Sequence, residues 1–184
     1  AFLLLIRLRN NLIQQDVLKK KYEDIESWKG SVLNETIYSM IATKVDGTIT
    51  IFNKAAENIL GYSADEVINK LTPQVFHDES EVIARNAELE KEFQCTMTPG
   101  FETFVAKAKI NDKPDIHEWT YINKSGLRIP VRLSITTIKD SSNNITGYLG
   151  VAENITEQRV LQSKIQEQKL QMVHSSKMSA LGEM

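Results

Sequence analysis

The chain has 184 residues, and its 22 Lys and Arg residues nearly balance its 24 Asp and Glu residues, with a pI near 6.0. This length supports one sizeable hydrophobic core and is short for two. The balanced charge lacks the basic field that nucleic-acid binding needs, so we expect no nucleic-acid partner. The single cysteine, Cys95, rules out an internal disulfide and fits a reducing compartment.

The N-terminus is strongly apolar, with seven apolar residues among the first eight, and Arg7 and Arg9 lie at the end of this run. A bilayer span takes about 20 residues, so the run cannot cross a membrane by itself. Arg next to an apolar run is typical of the cytoplasmic end of a spanning helix. We therefore expect residues 1–8 to be the end of a truncated transmembrane helix. The alternative is the apolar start of a helix in a soluble dimer.

A repeat of alternating four- and three-residue steps runs through the N-terminal segment and predicts a coiled coil. Its seam consists of Leu4, Leu8, Asn11, Gln15, Leu18, Tyr22, Ile25, Lys29 and Val32. Polar seam residues such as Asn11 and Gln15 can fix the register and the number of strands. Gly30 weakens a helix by about 1 kcal/mol relative to Ala, so we predict that the helix ends or breaks there. A two-chain coil is favoured over a single amphipathic helix lying on its own domain.

The hydrophobic periodicity beyond residue 30 predicts a succession of strands and helices. The predicted strands cover residues 37–45, 48–52, 118–123, 128–139 and 145–155, and the predicted helices cover residues 54–60, 82–93 and 99–109. In the fourth strand, one face carries Ile129, Val131, Leu133 and Ile135. Two strands, several helices and then three strands predict an α+β fold whose antiparallel sheet has helices on one face.

Turn and cap residues predict where these elements begin and end. Asp46-Gly47 predicts a two-residue hairpin turn between the first two strands. The predicted helix N-caps are Asn53, Ser63 and Asp78. Thr98 is predicted to cap the helix before the third strand, with Pro99 at the first helical position. Pro130 cannot donate a ladder hydrogen bond, so a free edge or a local irregularity is predicted there.

Two stretches, TITIFNKAAENILGYSADEVINK and HEWTYINKSGLRIPVRLSITTIKDSSNNITGYLGVAENIT, resemble a PAS sensory domain over residues 31–157. The final SSKMSALGEM resembles the start of the dimerisation and histidine-phosphotransfer helix of a bacterial sensor histidine kinase. The resemblance implies the PAS fold, a five-stranded antiparallel sheet with helices on one face, flanked by N- and C-terminal coiled-coil helices. It divides the chain into a membrane-proximal or coiled-coil helix (1–30), the PAS domain (31–157) and a signalling helix (158–184) that leads into a truncated phosphotransfer helix.

The same resemblance implies the signal-sensing and dimerisation region of a two-component sensor histidine kinase. The expected partners are a second copy of the chain, a kinase domain in the same chain and a response regulator, and the expected location is the cytoplasmic side of the bacterial inner membrane. A small-molecule ligand is left open. Two alternatives also stay open: a ligand-free relay and dimerisation module, or the PAS sensor of another output enzyme such as a diguanylate cyclase. SSKMSALGEM argues against the cyclase.

No catalytic residue is predicted in this segment, because no phosphate-binding loop, carboxylate pair or Ser/His/Asp arrangement is found. The three histidines, His77, His117 and His174, lack metal-ligand spacing, so we expect structural or surface roles and no metal site. His174 precedes SSKMSALGEM and is not the expected phosphoacceptor. Haem-binding PAS domains carry an axial His on the helix that EVIARNAELEKEF matches, and flavin-adduct domains carry a Cys before it. Cys95 follows that helix instead, so neither cofactor has its signature here, and we expect a partly buried, unreactive thiol.

Two sets of residues are candidates for function. Phe76, Trp119 and Tyr121 are predicted to border a pocket between sheet and helices, with plain core as the alternative. The last strand of the family usually ends Asp-Ile-Thr, with the Asp paired to a basic residue, whereas this chain has Asn154 and Thr156 at the first and third positions. We predict that these two residues couple the domain to the exit helix.

The exit helix carries two apolar registers. Leu161, Ile165 and Met172 follow one four-three repeat, and Met178 and Leu181 follow another. The seam is therefore predicted to slip past Met172. Such a slip is either a bistable element or the place where the coil gives way to the phosphotransfer bundle.

Overall fold

The structure, a computed structural model, describes the backbone of residues 2–182 and the side chains of residue 9 and residues 11–173. Two long helices, α1 (Phe2–Asn34) and α6 (Thr156–Gly182), precede and follow a mixed domain. Its strands are β1 (Ser39–Lys44), β2 (Ile49–Phe52), β3 (Asp115–Ile122), β4 (Arg128–Lys139) and β5 (Ile145–Asn154). Its helices are α2 (Lys54–Leu60), α3 (Ala64–Val67), α4 (Glu79–Phe93) and α5 (Phe101–Asn111), with a 3₁₀ turn at Pro73–Phe76.

The five strands form one antiparallel sheet in the order β2-β1-β5-β4-β3. This is the predicted α+β architecture. The first and last strands of the domain are neighbours, with Ser39 opposite Ala152. Because the two strands are antiparallel, the start of β1 and the end of β5 lie at the same end of the sheet. The helices that precede and follow the domain are therefore joined to it at one end.

The hydrophobic core lies between one face of the sheet and the helices. The predicted inner face of β4 is buried, and its residues Ile129, Val131, Leu133 and Ile135 pack in one cluster with residues of the helical layer. Leu60, Val67 and Phe76 from the helical side are completely buried. Burying each such side chain contributes about 1.5–3 kcal/mol, so the two-residue alternation of β4 is enough to fix which face meets the helices.

The β1–β2 hairpin has a three-residue loop, Val45–Gly47, so the predicted two-residue turn is wrong. Gly47 N–H donates to the carbonyl oxygen of Lys44 at 3.1 Å, and Lys44 N–H donates to that of Thr48 at 2.9 Å. Gly47 has φ +88°. A three-residue hairpin loop typically ends with a residue in this left-handed conformation. A Cβ there would lie 2.8 Å from the ring of Phe101, so glycine also provides space for α5.

Helix α5 begins after Gly100, so the prediction that Thr98 caps it is wrong. Gly100 has φ +154° and donates its N–H to Thr103 Oγ1 at 3.2 Å. The Thr103 hydroxyl in turn donates to Asn86 Oδ1 of α4 at 2.9 Å, and both side chains are buried. The start of α5 is set by this contact with a neighbouring helix, which no local cap signal contains.

Strand β4 lies between β3 and β5, so of the two explanations predicted for Pro130 the free edge is wrong. Pro130 is opposite Thr120. The N–H of Thr120 donates to Glu81 Oε2 at 2.7 Å, and its carbonyl oxygen accepts the N–H of Asp78 at 3.2 Å. On its other side, the Pro130 carbonyl accepts the N–H of Ile155 at 3.0 Å. The pairing of β4 with β5 begins only at the next residue, so the missing N–H of proline removes no ladder bond.

Helix α1 continues past Gly30 to Asn34, so the predicted end or break at Gly30 is wrong. Of the helices in the part that the structure describes, none combines the length and the apolar character that crossing a bilayer needs. The side chains of residues 1–8 lie outside the described residues. The same is true of His174, Met178 and Leu181, so the predicted change of seam register in α6 stays a prediction.

Candidate functional site

A small cavity lies between the sheet and the helical layer, and its volume is about 30 Å³. The lining residues from the sheet are Ile41, Thr43, Tyr121, Leu133, Ile135, Tyr148 and Gly150. Those from the helical layer are Pro73, His77, Phe101, Phe104 and Val105. None of these twelve residues is acidic, Lys or Arg. At roughly 10–15 Å³ for each water-sized group, the cavity has space for two or three non-hydrogen atoms.

His77 is the polar residue on the helical side of the cavity. Its Nδ1 lies 2.8 Å from the carbonyl oxygen of Pro73, so Nδ1 carries the hydrogen and Nε2 presents a lone pair. Nε2 is buried and has no hydrogen-bond partner among the described residues. Burial lowers the pKa of His77 to about 4, although the bond to Pro73 acts in the opposite direction. The imidazole is therefore neutral at neutral pH.

Three aromatic rings surround His77 and hold its orientation. The ring centroid of Phe104 lies 4.2 Å away, while Tyr121 and Trp119 approach nearly edge-on at 4.9 and 5.4 Å. Edge-on packing places the positive edge of one ring against the negative face of another. Burial raises the pKa of Tyr121, so its hydroxyl stays protonated. His77 is fixed by packing on several sides and by one hydrogen bond.

The three residues predicted to border a pocket belong to one hydrophobic cluster, but only one of them lines this cavity. Tyr121 lines the cavity. Trp119 lies on the same strand and contacts His77 without lining the cavity. Phe76 is completely buried and packs on Phe52 and Tyr62 at 5.9 and 5.3 Å. The sequence reasoning missed His77 as a lining residue, because its position before a helix cap indicates only a structural role.

The other candidates for metal or thiol chemistry are dispersed. Within the part of the chain that the structure describes, no three His, Cys, Asp or Glu side chains are grouped so as to hold a metal ion. The pKa of His117 is lowered by partial burial and then by the nearby Arg85. Cys95 is exposed, so the prediction that it is partly buried is wrong. Gln94, which precedes it, adopts φ +50° where α4 ends.

Asn53 joins the N-terminal helix to the domain. Its Oδ1 accepts the N–H groups of Met40 and Ala56 at 2.9 and 3.0 Å, which caps α2 as predicted and fixes the start of β1. Its Nδ2 donates to the carbonyl oxygens of Leu33 and Tyr38 at 2.8 and 2.9 Å. With 2% of its surface exposed, Asn53 links the last turn of α1, β1 and α2 through one amide.

Asn154 and Thr156 meet where β5 becomes α6. The N–H and the hydroxyl of Thr156 both donate to Asn154 Oδ1, at 3.0 and 2.6 Å. The residue between them, Ile155, is 2% exposed, and its carbonyl accepts the N–H of Arg159 at 2.9 Å. The strand therefore passes into the helix through one buried residue, with a side-chain hydrogen bond across it on the surface.

A group of charged residues, here called the Glu118 cluster, connects the sheet to the first turn of α6. It consists of Glu118 in β3, Arg132 in β4, Glu153 in β5 and Arg159 in α6. Glu118 pairs with Arg159 at 2.7 Å and with Arg132 at 3.2 Å, and Arg132 also reaches Glu153 at 3.5 Å. The hydrogen bond from Arg159 and then that from Arg132 lower the pKa of Glu118.

The Glu118 cluster was missed by the sequence reasoning, which looked for a charge at position 154. All four side chains are about half exposed, so each pair contributes at most about 1 kcal/mol to stability. The cluster helps to set the orientation of α6, because its ion pairs connect the first turn of this helix to β3 and, through Arg132, to β4 and β5.

The sheet order and the helices on one face of the sheet are those of the PAS class of α+β domains. The family model for the PAS domain matches residues 37–157, which is more than half of the chain. The chain belongs to the PAS domain family.

Solved structures share this fold at low sequence identity. The PAS domain of a protein from Colwellia psychrerythraea has 19% identity and a TM-score of 0.54, covering 72% of this chain and 98% of that one. The PAS domain of an HTR-like protein from Haloarcula marismortui has 15% identity and a TM-score of 0.53, covering 76% and 99%. A PAS domain from a two-component sensor histidine kinase has 11% identity and a TM-score of 0.52, covering 72% and 98%. At these identities the likeness establishes the fold alone.

Proposed function

We propose that this chain is the sensing and dimerisation region of a two-component sensor histidine kinase, which relays a conformational change from the PAS core to a kinase domain in the same chain. The observation that carries the proposal is the junction of β5 and α6. One buried residue, Ile155, separates strand from helix, and the Glu118 cluster ties the first helical turn to the sheet. The resemblance of SSKMSALGEM to a phosphotransfer helix supports the kinase as the output.

The junction combines a fixed part and an adjustable part. Ile155 is fixed by burial and by its backbone hydrogen bonds to Pro130 and Arg159. The Glu118 cluster is exposed and weak, so its pairs can exchange at little cost in free energy. A change in the packing of the sheet would therefore turn α6 about Ile155 while the pairs of the cluster rearrange. Such a rigid-body movement of an element is a common form of switching.

Dimerisation is supported by the exposed apolar side chains of the two long helices. The predicted α1 seam residues Leu18, Tyr22, Ile25 and Val32 are 47–63% exposed, and Leu161, Ile165 and Met172 of α6 are 43–72% exposed. A second copy of the chain in a parallel coil would bury these side chains. In such a dimer both α6 helices would move together, which is how a shift in one domain would reach both kinase domains.

The proposed cellular location is based on the N-terminal sequence. The apolar N-terminal run followed by Arg7 and Arg9 supports attachment at the cytoplasmic face of a bacterial inner membrane. A response regulator would then receive the phosphoryl group from the kinase.

A second candidate function is favoured by the small cavity and by Asn53. A cavity of about 30 Å³ cannot take a haem or a flavin unless α5 moves. The Asn53 amide, by contrast, connects α1 directly to β1 and α2. The domain would then relay a movement of α1 to α6 without a cofactor. Native mass spectrometry of the purified chain distinguishes the two, since a bound cofactor adds its mass to that of the protein.

The coupling is tested in the full-length kinase by Arg159→Glu, which replaces the attraction to Glu118 with repulsion. We expect this variant to fold normally and to show a flattened change of autophosphorylation on stimulation. Lys164→Glu is the matched control, because it makes the same charge change at an exposed position of the same helix. A response to stimulus in Arg159→Glu equal to that of the control would show that the cluster does not carry the signal.

A further inference from the structure

Two polar atoms of cavity residues have no hydrogen-bond partner within the described part of the chain. They are Nε2 of His77 and Oγ1 of Thr43, which belong to opposite walls of the cavity. His77 is 7% exposed and Thr43 is 5% exposed, so bulk water does not reach them. Buried polar groups in folded proteins almost always have a partner, and leaving one unpaired costs free energy.

The hydrogen bond to Pro73 determines which kind of hydrogen bond Nε2 of His77 can form. Because Nδ1–H donates to the Pro73 carbonyl at 2.8 Å, Nε2 of the neutral ring can only accept a hydrogen bond. The Thr43 hydroxyl can donate and accept. A molecule that satisfies both must donate to His77 and can do either with Thr43. A hydroxyl group meets both requirements, whereas a diatomic gas without hydrogen meets only the second.

The walls of the cavity also limit the charge and the size of such a molecule. None of the lining residues is acidic, Lys or Arg, so an ion there would be buried without a counter-charge, which is costly. The remaining wall consists mostly of apolar and aromatic side chains. With a volume of about 30 Å³, the cavity accepts two or three non-hydrogen atoms.

The position of the cavity connects the surface to the output strand. His77 also lines an open cleft with Val75, Ile83 and Pro99, so this residue separates the cavity from solvent. On the opposite wall lies Tyr148 of β5, whose ring packs edge-on against Phe101 of α5 at 5.7 Å. A molecule in the cavity would therefore touch both the access side and the strand that continues into α6.

We propose that the cavity is a binding site for a small neutral molecule with an O–H donor, such as water or methanol, held between His77 Nε2 and Thr43 Oγ1. The proposal rests on the proposed sensing function and names the ligand class of that core. Water and a short alcohol share the same chemistry, and the experiment separates them.

The test uses NMR spectroscopy of the 184-residue chain with methanol and with xenon, an apolar probe of similar size. We expect the imidazole nitrogen shifts of His77 to show the Nδ1–H form, and cross-peaks from water or methanol protons to His77 and to the Thr43 methyl group. Cross-peaks from water that persist in methanol identify water as the occupant, and cross-peaks from methanol that replace them identify the alcohol. Both results support the site.

Thr43→Val keeps the shape of the side chain and removes the hydroxyl. We expect it to weaken methanol binding, or to shorten the residence of the bound water, about two- to tenfold, the effect of one hydrogen bond. His77→Phe should abolish the cross-peaks, and if that variant does not fold, Thr43→Val decides alone. Binding of xenon to the wild type without any hydroxyl cross-peak, or equal binding by Thr43→Val, would overturn the proposal. This binding measurement does not depend on signalling, so its failure leaves the kinase coupling to be judged separately by Arg159→Glu.

Discussion

At the scale of single residues, Asn53 and His77 show how one buried polar side chain can organise several elements. Asn53 satisfies its whole amide with backbone groups of α1, β1 and α2, so its position is determined on all sides. His77 satisfies only Nδ1, and packing against rings holds the rest of its imidazole. The first arrangement gives rigidity at a junction, and the second leaves an unpaired lone pair at a cavity lined mostly by apolar and aromatic side chains.

The pKa of His77 leads to a prediction about stability. In the folded chain, burial lowers the pKa of His77 to about 4. In the unfolded chain the imidazole is in water, and its pKa has the ordinary value of 6.5. Between these values the unfolded chain binds a proton that the folded chain does not, so the free energy of unfolding falls as the pH is lowered from above 6.5 towards 4. Replacing His77 should remove this dependence of the free energy of unfolding on pH.

The measurement is urea unfolding of the wild type and of His77→Gln at about pH 7 and about pH 5. We expect the wild type to lose about 2 kcal/mol more than the variant between these conditions. His117→Gln serves as the control, because its pKa is also lowered but its burial is only partial. The idea fails if the His77→Gln protein has the same pH dependence as the wild type.

Thr156 gives a second prediction at this scale. Thr156→Val removes the hydroxyl that donates to Asn154 at 2.6 Å and keeps the shape of the side chain. The bond is exposed, so we expect a loss of stability of only about 0.5–1 kcal/mol, and a flattened response in the full-length kinase. Thr136→Val, which removes a hydroxyl in the middle of β4, is the control. A Thr156→Val kinase that responds over the normal range would show that the signal leaves by another route.

At the scale of elements, the long helices differ from the short ones in what stabilises them. The short helices α2 and α4 have capping side chains, Asn53 and Asp78, and bury residues in the core. From residue 11 onward, α1 places almost all its side chains in solvent, and α6 does the same as far as residue 173. An isolated helix in water gains little stability of its own, so tertiary or quaternary packing must supply it.

The predicted seam of α1 can be tested by Leu18→Asp combined with Ile25→Asp. These changes would put unpaired carboxylates into a buried coiled-coil seam, where they are costly. We expect sedimentation to show a monomer or a dimer weakened at least about tenfold, which corresponds to about 1.4 kcal/mol. Gln14→Asp, at an exposed position outside the seam, should leave association unchanged. An intact dimer in the double variant would assign dimerisation to the PAS core or to α6.

At the scale of the whole molecule, the antiparallel pairing of β1 with β5 joins α1 and α6 to the domain at the same end of the sheet. Residues Ile37 and Tyr38, which follow α1, line one surface groove together with Asn154 and Thr156. In the proposed function, a movement of α1 would reach α6 through this groove, while a molecule in the cavity would act on α6 through β5. The two proposed inputs converge on one junction.

The chain as a whole is predicted to have no kinase activity of its own. Its sequence has no phosphate-binding loop, and His174 precedes the segment that resembles a phosphotransfer helix. We expect incubation with labelled ATP to leave the protein unlabelled, with an intact histidine kinase as the positive control. Stable phosphorylation of any histidine in this chain would contradict its assignment as a sensing region.

Local patterns were sufficient for much of the fold. The alternation along β4 predicted its buried face, and Asn53 predicted the start of α2, because a strand face and a helix cap depend on residues only a few positions apart. The predicted hairpin loop was one residue too short, because the dipeptide Asp46-Gly47 fits a two-residue or a three-residue loop and does not by itself determine the length.

The features of the candidate site depend on contacts between distant segments. Gly100 begins α5 because Thr103 reaches Asn86 of another helix, and α5 closes the cavity over Thr43 and His77. Glu118 and Arg159 are 41 positions apart and meet only because β3, β4 and the end of β5 lie side by side. Hydrophobic periodicity carries no record of such pairings, because it reports which face of an element is buried and not which other element covers it.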